Sequence, residues 1–438
     1  METVLVIGAA RSGVAVSKLL LKNGYHVILT DSKEVVQKEE LEAMGIEVFD
    51  NGHPDSLKEI DYPFVVKNPG IPYRVPFVKY FVEKNVPIFT EIEIGYRFSP
   101  KFTYGAITGT DGKTTVTTLL HEMLNKKKPA LAAGNIGIPL SEQVLAHGDE
   151  TMDVALELSN FQLMGIDTFR PVVSTVTNLA PDHLDYMDSL EEYYSSKMRI
   201  YKNCHKEDWF IRNVDEPEIV KYAQNIPCEV IDFSLKRTDV DLYKDGHYTY
   251  LKGEMLFDVN DLKIVGDFNC GNAMMAAAMA YKMGVSLEDI REVIVSFKGV
   301  EHRIEYVETI NGVRIYNDTK ATNTHAACAA LSAFDQNVIL LCGGKDKHIS
   351  FDDLKQYDHK VKHCFSFGQT QDAFGAVFSH QTSCETMDNA FHQALELAGP
   401  GDVILLSPAC SSFDQFKNYE VRGQIFKDMV HKAGEGKS

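Results

Sequence analysis

Short apolar runs recur along the chain, and each is followed by a turn and a longer stretch with helical spacing. The first is TVLVIGAARSG at residues 3–13, whose β-rich start leads through a turn into a helical pattern that continues to Asn23. Gly24 then precedes a second apolar run, HVILTD, at residues 26–31. A strand, a helix and a second strand in this order predict a β-α-β unit that ends at Asp31.

The same rhythm continues through the middle of the chain. YGAITGT at residues 104–110 is typical of a strand that leads into a turn, and TTVTTLLHEML at residues 114–124 is typical of the helix that follows it. Two further apolar runs, at residues 154–158 and 171–179, are followed by polar residues. These patterns predict that a second β-α series occupies the middle of the chain.

A third series begins at about residue 299. Its apolar runs are VRIYND, NVILLCGG, HCFSFG and DVILLSPA, at residues 313–318, 337–344, 363–368 and 402–409. Strands that alternate with helices favour mostly parallel sheets with helices on their faces. We therefore predict an α/β fold with three domains, at residues 1–90, 91–298 and 299–438.

The composition is that of a globular protein with several cores, since the chain has 438 residues and 44% of them are hydrophobic. A formal charge of −18 disfavours nucleic acid and anionic lipid as partners. The basic run NKKKP, at residues 125–129, is typical of the solvated last turn of a helix. No basic leader precedes the first apolar run, which is too short to span a membrane, so we expect a cytoplasmic protein without membrane insertion. The eight cysteines form no C-x-x-C pair and are expected to be reduced thiols.

The turn after the first predicted strand carries part of a dinucleotide-binding pattern. G-x-G-x-x-G is matched at Gly8 and Gly13, but Ala10 replaces the middle glycine. As a fingerprint for NAD the match is weak. A turn that opens a helix still suits a diphosphate, because its free amide groups and the helix dipole attract anions. A second turn, KNPGIP at residues 67–72, is expected at the edge of the same sheet.

The segment GTDGKTT, residues 109–115, carries Gly-Lys-Thr between a predicted strand and a predicted helix. The usual phosphate loop has a glycine six residues before the lysine, where this chain has Ile107, so the loop is of a shorter Gly-x-x-Gly-Lys-Thr-Thr type. Its amides would hold phosphate oxygens, Lys113 would neutralise the transferred phosphoryl group, and the hydroxyl of Thr114 or Thr115 would reach Mg²⁺. A glycine turn capped by threonines is the alternative.

Candidate metal ligands follow two of the predicted strands. Glu157 lies near the end of the run at residues 154–158, and His183 lies in the polar segment after the run at residues 171–179. A lone acid in a strand is often solvent-exposed, and a lone histidine in a loop is often incidental. Because ligand sites of α/β sheets lie at the carboxyl ends of parallel strands, we favour a metal role for Glu157 and a metal or substrate role for His183.

A lysine interrupts the apolar face of the next predicted helix. This helix is expected to begin at Ser189, because Ser189 and Glu192 have the S-x-x-E spacing of a capping box. One face of it would carry Leu190, Tyr194, Lys197 and Tyr201. Lys197 either extends its amine to solvent along the apolar surface, or it is buried and takes part in chemistry.

Two asparagines, Asn269 and Asn272, stand at the head of a helix rich in alanine and methionine. Their default interpretation is as helix caps, and the alternative is contact with a base. In the third series, polar clusters follow the predicted strands at residues 317–323, 345–348 and 407–412. Substrate contacts are expected there.

Together these segments resemble a known family. They are GTDGKTT, LELSNFQL, NLAPDHLD, SSKMRIYKN, EHRIE, NDTKATN and LLSPACSSFDQFKNYEVRG, in this order over nearly the whole chain. They are similar to the muramyl peptide ligases, and most closely to the members that add D-glutamate. The resemblance implies a Rossmann-like UDP-binding domain, a central phosphate-loop ATPase domain and a Rossmann-like C-terminal domain that binds the amino acid.

The activity implied by the resemblance is an ATP-dependent amide ligation in cytoplasmic peptidoglycan synthesis. The enzyme would join D-glutamate to UDP-N-acetylmuramoyl-L-alanine through an acyl phosphate, with Mg²⁺ at the site. Lys197 would be carbamylated, which turns a cation into an anionic metal ligand. The partners would be these small molecules, and we expect a monomer.

Carried over position by position, the resemblance assigns catalytic roles to Lys113, Glu157, His183 and Lys197, and metal contacts to Thr114, Glu157, His183 and Lys197. ATP would be bound by Gly109, Thr110, Asp111, Gly112, Lys113, Thr114, Thr115, Asn269, Asn272, Arg303 and Asp318. The UDP-linked substrate would be bound by Ala10, Arg11, Ser12, Asp31, Ser32, Asn68, Gly70, Asn135, Gln162 and His183. D-Glutamate would be bound by Thr322, Lys347, Ser412 and Tyr419.

Three residues depart from the family's usual pattern, since Asp111 replaces an asparagine, Asn160 a serine and Phe268 a histidine. Asp111 matters most, because a carboxylate beside polyphosphate repels it. Two other functions therefore compete with the ligase. A nucleotide-binding regulator with a decayed site would bind ATP without turnover, and an NAD-dependent oxidoreductase would use the first β-α-β unit.

Overall fold

A computed structural model describes residues 1–180, 187, 189–346 and 350–435. The described strands are β1 (Thr3–Ile7), β2 (His26–Thr30), β3 (Glu47–Phe49), β4 (Val65–Lys67), β5 (Ile88–Phe89), β6 (Phe102–Thr108), β7 (Ala130–Gly134), β8 (Met152–Glu157), β9 (Val173–Val176), β10 (Trp209–Asn213), β11 (Glu229–Ser234), β12 (Leu242–Asp245), β13 (Tyr248–Leu251), β14 (Glu254–Asp258), β15 (Glu305–Ile310), β16 (Val313–Asn317), β17 (Val338–Gly343), β18 (Val361–Phe367), β19 (Gln381–Cys384) and β20 (Val403–Leu406). The described α-helices are α1 (Arg11–Lys22), α2 (Lys38–Met44), α3 (Pro76–Glu83), α4 (Glu91–Arg97), α5 (Lys113–Lys127), α6 (Leu140–His147), α7 (Asn160–Met164), α8 (Leu190–Met198), α9 (Pro217–Tyr222), α10 (Asp267–Lys282), α11 (Leu287–Ser296), α12 (Thr324–Ser332), α13 (Met387–Leu397) and α14 (Tyr419–Glu435). Short 3₁₀ helices lie at Asp55–Lys58, Arg199–Tyr201, Val259–Asp261, Asp352–Lys360 and Gly368–Ala376.

The chain divides into two compact units. One consists of Met1–Asp258 with Gly271–Val293, and the other of Val259–Cys270 with Ile294–Ser438. The first unit holds two sheets and the second unit holds one. The bounds of the three predicted domains stay a prediction.

The first sheet of the first unit has five strands in the order β3-β2-β1-β4-β5, and all neighbouring strands are parallel. Val4 and Val6 of β1 face a core with α1, whereas Leu5 and Ile7 face a second core with α3. Burial on both faces explains why β1 reads as an unbroken apolar run. The β-α-β unit that was predicted to end at Asp31 is present, and its second strand ends at Thr30.

The second sheet has nine strands in the order β14-β13-β12-β11-β10-β9-β6-β8-β7. The seven strands β12-β11-β10-β9-β6-β8-β7 are parallel to one another, and β13 and β14 add an antiparallel edge next to β12. Within this order, β6 lies between β8 and β9, with Ile107 beside Glu157 and Thr108 beside Val176. The residues that follow these three strands are therefore neighbours, although they are far apart in sequence.

The sheet of the second unit has six strands in the order β15-β16-β20-β17-β18-β19. β15 is antiparallel to β16, and the other neighbouring pairs are parallel. Helices α13 and α14 cover one face and α12 covers the other. Each of the four strands predicted from the third series of apolar runs is present.

The predicted α/β class with mostly parallel sheets is confirmed by these three sheets. The eight cysteines are free thiols, and Cys328 is the one with partial solvent exposure. No helix among the described residues is long and apolar enough to cross a membrane.

Candidate functional site

The turn between β1 and α1, residues 8–13, is closely packed against itself. A Cβ atom on Gly13 would lie 1.8 Å from the carbonyl oxygen of Gly8, so this position requires glycine. The Ala9 amide donates to Oδ2 of Asp31 at 2.7 Å, which ties the turn to the end of β2. Asp31 therefore lies beside this turn, as its place in the predicted site requires, and Ser32 is exposed next to it.

The segment at residues 67–72 meets this turn at the same sheet edge. Nδ2 of Asn68 donates to Oγ of Ser12 at 3.1 Å, and the amide of Gly70 donates to Oδ1 of Asn68 at 3.1 Å. These contacts bring together four predicted UDP-site residues, Ser12, Asp31, Asn68 and Gly70, and Ala10 lies in the same turn. Arg11 is another residue predicted for this site, and its guanidinium pairs with Glu142 and donates to the carbonyl of Gly137 at 2.7 Å.

The phosphate loop, residues 109–115, is braced by the residues that follow β9. Gly109 has a φ of +144°, and a Cβ atom there would lie 1.9 Å from Oγ1 of Thr177. Oδ1 of Asn178 accepts the amides of Thr110 and Asp111 at 3.1 and 2.8 Å. Thr177 and Asn178 were not predicted as site residues. The sequence signal that could have pointed to them is their polar character near the end of the apolar run at residues 171–179.

Two lysines meet at one carbonyl of the phosphate loop. Nζ of Lys113 donates to the carbonyl of Gly109 at 2.9 Å and to that of Thr110 at 2.7 Å. Nζ of Lys197 donates to the same Gly109 oxygen at 2.7 Å. The side chain from α8 is therefore joined to the loop that the sequence predicted as the phosphate site.

Lys197 is buried, with 2% of its surface exposed, and its Nζ lies 4.5 Å from the ring centre of Tyr193. The interpretation that this lysine extends to solvent is therefore wrong, because the tyrosine and the loop cover its amine. The predicted start of α8 is confirmed, since Oγ of Ser189 accepts the amide of Glu192 at 3.1 Å. The predicted face differs at its first position, where Leu190 is 37% exposed.

Glu157 lies buried at the end of β8, beside the start of α5. Oγ1 of Thr114 donates to its Oε2 at 2.9 Å, and Nδ2 of Asn135 donates to its Oε1 at 2.9 Å. Thr115 is buried, so Thr114 is the threonine whose hydroxyl reaches this carboxylate. A carboxylate and a hydroxyl are hard oxygen ligands, which suit a Mg²⁺ ion that keeps waters and phosphate oxygens in its shell. Among the described residues, no three His, Cys, Asp or Glu side chains cluster as a metal cage.

The positions that depart from the family pattern have different surroundings. Asp111 has an exposed side chain, and Asn160 is buried with its Nδ2 3.5 Å from Sδ of Met187. Phe268 is exposed.

Gln162, a predicted substrate contact, completes a capping box at the start of α7, because its Oε1 accepts the amide of Ser159 at 2.9 Å.

The asparagines near the start of α10 are not helix caps. The helix begins at Asp267, so Asn269 and Asn272 lie within its first two turns. Nδ2 of Asn269 donates to the carbonyl of Val265 at 2.9 Å, and Asn272 is fully buried. The cap interpretation is wrong because the helix starts before both residues, and the base-contact alternative stays a prediction.

In the second unit, Asp318 follows β16 and is buried. Oγ of Ser407 donates to its Oδ2 at 2.7 Å, and the amide of Ile304, next to Arg303, donates to its Oδ1 at 3.2 Å. Burial raises the pKa of Asp318 to about 7, although these hydrogen bonds and the charges of Arg303 and Arg422 favour the carboxylate.

We expect Asp318→Asn to stabilise the protein more at pH 8 than at pH 5. The folded pKa of about 7 exceeds the ordinary value of 3.8, so the wild type loses stability as the pH rises from about 4 to about 7. Asparagine does not ionise, and its advantage at pH 8 over pH 5 should be on the order of 2 kcal/mol. Urea unfolding of both proteins at both pH values measures it. An equal difference at the two pH values would contradict the raised pKa.

Of the residues predicted to bind D-glutamate, Thr322, Ser412 and Tyr419 are described by the structure. Ser412 is buried after β20, and the carbonyl of Tyr419 accepts Oγ1 of Thr319 at 3.1 Å. Thr322 lies in the segment after β16, with its amide 2.9 Å from the carbonyl of Lys320. Lys347, like His183, lies outside the described residues.

Arg422 was missed by the sequence prediction and is fully buried. Its Nε donates to Oγ1 of Thr319 at 2.9 Å, and one terminal nitrogen donates to the carbonyls of Thr319 and Cys410 at 2.9 and 3.1 Å. Burial lowers the pKa of Arg422 to about 10. This side chain joins the segments that carry Thr322 and Ser412, and the only sequence signal for it was its place in the last quoted motif.

Comparison with known families and proteins gives consistent matches. Residues 107–280 match the Mur ligase middle domain, and residues 302–410 match the Mur ligase glutamate ligase domain. A UDP-N-acetylmuramoylalanine--D-glutamate ligase of Geobacillus kaustophilus is 42% identical over 445 residues, which cover 98% of this chain and 97% of that protein. The protein of the same name from Bacillus mycoides is 43% identical over 441 residues, with 98% of each chain covered.

Solved structures share the fold at lower identity. The UDP-N-acetylmuramate-alanine ligase MurC of Thermotoga maritima has a TM-score of 0.55 at 17% identity, over 99% of this chain and 100% of that one. A pseudomurein peptide ligase type C of Methanothermus fervidus has a TM-score of 0.54 at 17% identity, over the same shares of the two chains. The resemblance seen in the sequence motifs and the predicted ligase class are confirmed by the curated relatives. The chain belongs to the Mur ligase family.

Proposed function

We propose that the chain is an ATP-dependent ligase that joins D-glutamate to UDP-N-acetylmuramoyl-L-alanine. The observation that carries this proposal is the group formed at one sheet edge by Lys113, Thr114 and Glu157, where a phosphate loop and a buried carboxylate are in contact. Curated relatives whose name states this reaction align with nearly the whole chain.

The phosphates of ATP would lie on the amides of the phosphate loop. Lys113 would then leave the carbonyls of Gly109 and Thr110, which it contacts at 2.9 and 2.7 Å, for phosphate oxygens. The exchange is favourable because a hydrogen bond from an ammonium group to an anion is stronger than one to a neutral carbonyl. The adenine, ribose and remaining phosphate contacts are proposed for Asn269, Asn272, Arg303 and Asp318.

Thr114 and Glu157 would hold one Mg²⁺, and His183 with a carbamylated Lys197 would hold a second. The hydroxyl and carboxylate of the first pair lie 2.9 Å apart and are the oxygen ligands that Mg²⁺ prefers. When bound, the ion would offset negative charge on the phosphate oxygens. Asn135 orients the same carboxylate by donating to its other oxygen at 2.9 Å.

The ligation would proceed in two steps. A carboxylate oxygen of the alanyl group attacks the γ-phosphorus, and the bond from phosphorus to the ADP oxygen breaks, which leaves an acyl phosphate. The amine of D-glutamate then attacks the acyl carbon, phosphate departs with the electrons of the carbon–oxygen bond, and the amine loses a proton. Direct attack on the carboxylate would have to expel oxide, whereas phosphate is a good leaving group. Lys113 would stabilise the charge on the phosphoryl oxygens by proximity.

The remaining contacts belong to the same proposal. The UDP-linked substrate would be held by Ala10, Arg11, Ser12, Asp31, Ser32, Asn68, Gly70, Asn135, Gln162 and His183. D-Glutamate would be held by Thr322, Lys347, Ser412 and Tyr419. The reaction would take place in the cytoplasm, and a monomer is expected.

A phosphate-release assay tests the function. Phosphate should appear only when ATP, UDP-N-acetylmuramoyl-L-alanine and an amino acid are all present, and D-glutamate should be used in preference to L-glutamate and to D-alanine. ATP binding without phosphate release would instead support a regulator with a decayed site. A change in nicotinamide absorbance on addition of substrate would support an oxidoreductase.

A further inference from the structure

Lys67 is fully buried, which is unusual for a lysine. It is the last residue of β4 and pairs in register with Ile7 of β1. On this face of the sheet, the neighbouring strand residues and helix α3 form an apolar core that includes Leu5, Val65 and Phe77. A cation at this position has lost its hydration and needs other partners.

Those partners come from the segment that follows it. Nζ of Lys67 donates to the carbonyl of Ile71 at 2.7 Å, and to those of Asn68 and Pro69 at 3.3 and 3.4 Å. The ammonium group also lies 4.5 Å from the ring centre of Tyr73. Burial lowers the pKa of Lys67 to about 7. The backbone of residues 68–71 is therefore wrapped around one ammonium group.

The same segment forms one side of the proposed UDP site. Its Asn68 donates to Oγ of Ser12 at 3.1 Å and accepts the amide of Gly70 at 3.1 Å. It also packs tightly on the turn after β1, because a Cβ atom on Gly8 would lie 2.7 Å from Cβ of Asn68. A shift of the carbonyls held by Lys67 would therefore move Asn68 relative to the turn.

We propose that Lys67 is a positioning residue for the UDP-linked substrate. Its buried ammonium group fixes the carbonyls of residues 68, 69 and 71, and this sets Asn68 and Gly70 for contact with the uridine nucleotide. The inference rests on the proposed function, since UDP binding at this turn is part of it. Lys67 acts through the segment and does not touch the nucleotide. A lysine with a purely structural role would affect stability and leave substrate affinity unchanged.

The test compares Lys67→Met with the wild type. Methionine has a similar volume but donates no hydrogen bond, so the KM for UDP-N-acetylmuramoyl-L-alanine should rise about tenfold. The kcat and the KM values for ATP and D-glutamate should change by less than about twofold, because Lys67 is proposed to act only on the segment that binds the uridine nucleotide. A misfolded fraction would instead lower the apparent kcat and leave every KM unchanged. Calorimetric titration with UDP should show the same loss of affinity. Lys79→Met, which removes an exposed lysine of α3, is the matched control and should match the wild type.

An unchanged KM for the UDP-linked substrate and an unchanged UDP affinity in Lys67→Met would overturn the inference, even if the thermal midpoint falls. If this variant does not fold, Tyr73→Leu takes its place, because it removes the ring over the ammonium group. Tyr73→Leu should raise the KM for the UDP-linked substrate by a smaller factor than Lys67→Met. An unchanged KM in Tyr73→Leu would also overturn the inference. If the inference about Lys67 is wrong but the proposed function is right, the wild type still releases phosphate with D-glutamate. If the proposed function is wrong, the wild type releases no phosphate.

Discussion

Replacing Lys113 with alanine is expected to lower phosphate release by at least about 100-fold, which corresponds to about 3 kcal/mol of lost transition-state stabilisation. Lys113 begins α5, and its ammonium group rests on the carbonyls of Gly109 and Thr110 in the phosphate loop. The loss should appear in kcat, measured with ATP, UDP-N-acetylmuramoyl-L-alanine and D-glutamate all saturating.

Lys101→Ala is the control for this experiment. Lys101 is an exposed lysine just before β6, and its Nζ donates to the carbonyl of Asp149 at 2.7 Å. The control should keep the activity of the wild type. Intact phosphate release in Lys113→Ala would show that the assignment of residues 109–115 as a phosphate loop is wrong.

Lys197→Ala is the second change with a large expected effect, a loss of activity of at least about 100-fold. The variant removes a buried side chain whose amine holds the carbonyl of Gly109 at 2.7 Å. If a carbamate on this lysine is the active form, millimolar bicarbonate together with short carboxylic acids should restore part of the activity, because a small carboxylate can enter the space that the side chain leaves. Phosphate release with and without these additives measures the effect.

The outcome of the rescue separates two roles of Lys197. Lost activity without any rescue would remove the main support for the carbamate and leave the amine as an anchor of the phosphate loop. Full activity of the variant would contradict both roles. Lys202→Ala is the control, because Lys202 is an exposed lysine soon after α8 and should be dispensable.

The local elements were predictable because each carries its own periodicity. β1 and β17 are buried along nearly their whole length, and their unbroken apolar runs predicted them. The start of α8 was predictable from Ser189, whose hydroxyl accepts the amide three residues later. The start of α10 was not, because Asp267 and Asn269 are both residues that favour a helix start and only the backbone distinguishes them.

The candidate site was predictable to the extent that its residues follow strands. Glu157 was expected beside the phosphate loop, and it accepts the hydroxyl of Thr114 at 2.9 Å. Thr177 and Asn178 were missed, although Asn178 holds two amides of the loop. Their role depends on β9 lying directly beside β6, an order that the sequence pattern does not record.

The significance of Asp111 changes in the same way. In the sequence, Asp111 places a carboxylate where the family usually has an asparagine, and its charge is expected to repel polyphosphate. In the fold its side chain is exposed, while its backbone amide is fixed by Asn178 at 2.8 Å. The loop is therefore held through the backbone amide of Asp111, and the carboxylate of Asp111 is exposed to solvent.

The sequence by itself determined the family, the α/β class and the positions of the principal strands, and it predicted the phosphate loop. These features depend on local periodicity and on motifs whose residues are close together in the chain. Only the tertiary structure decided that Lys197 is buried against Gly109, that Asn178 braces the loop and that Lys67 gathers the carbonyls of residues 68–71. The contacts of Lys197 and Asn178 depend on the order of strands in a sheet, which brings distant segments together. The contacts of Lys67 depend on the path of a turn around a buried charge. None of these arrangements produces a periodic pattern in the sequence.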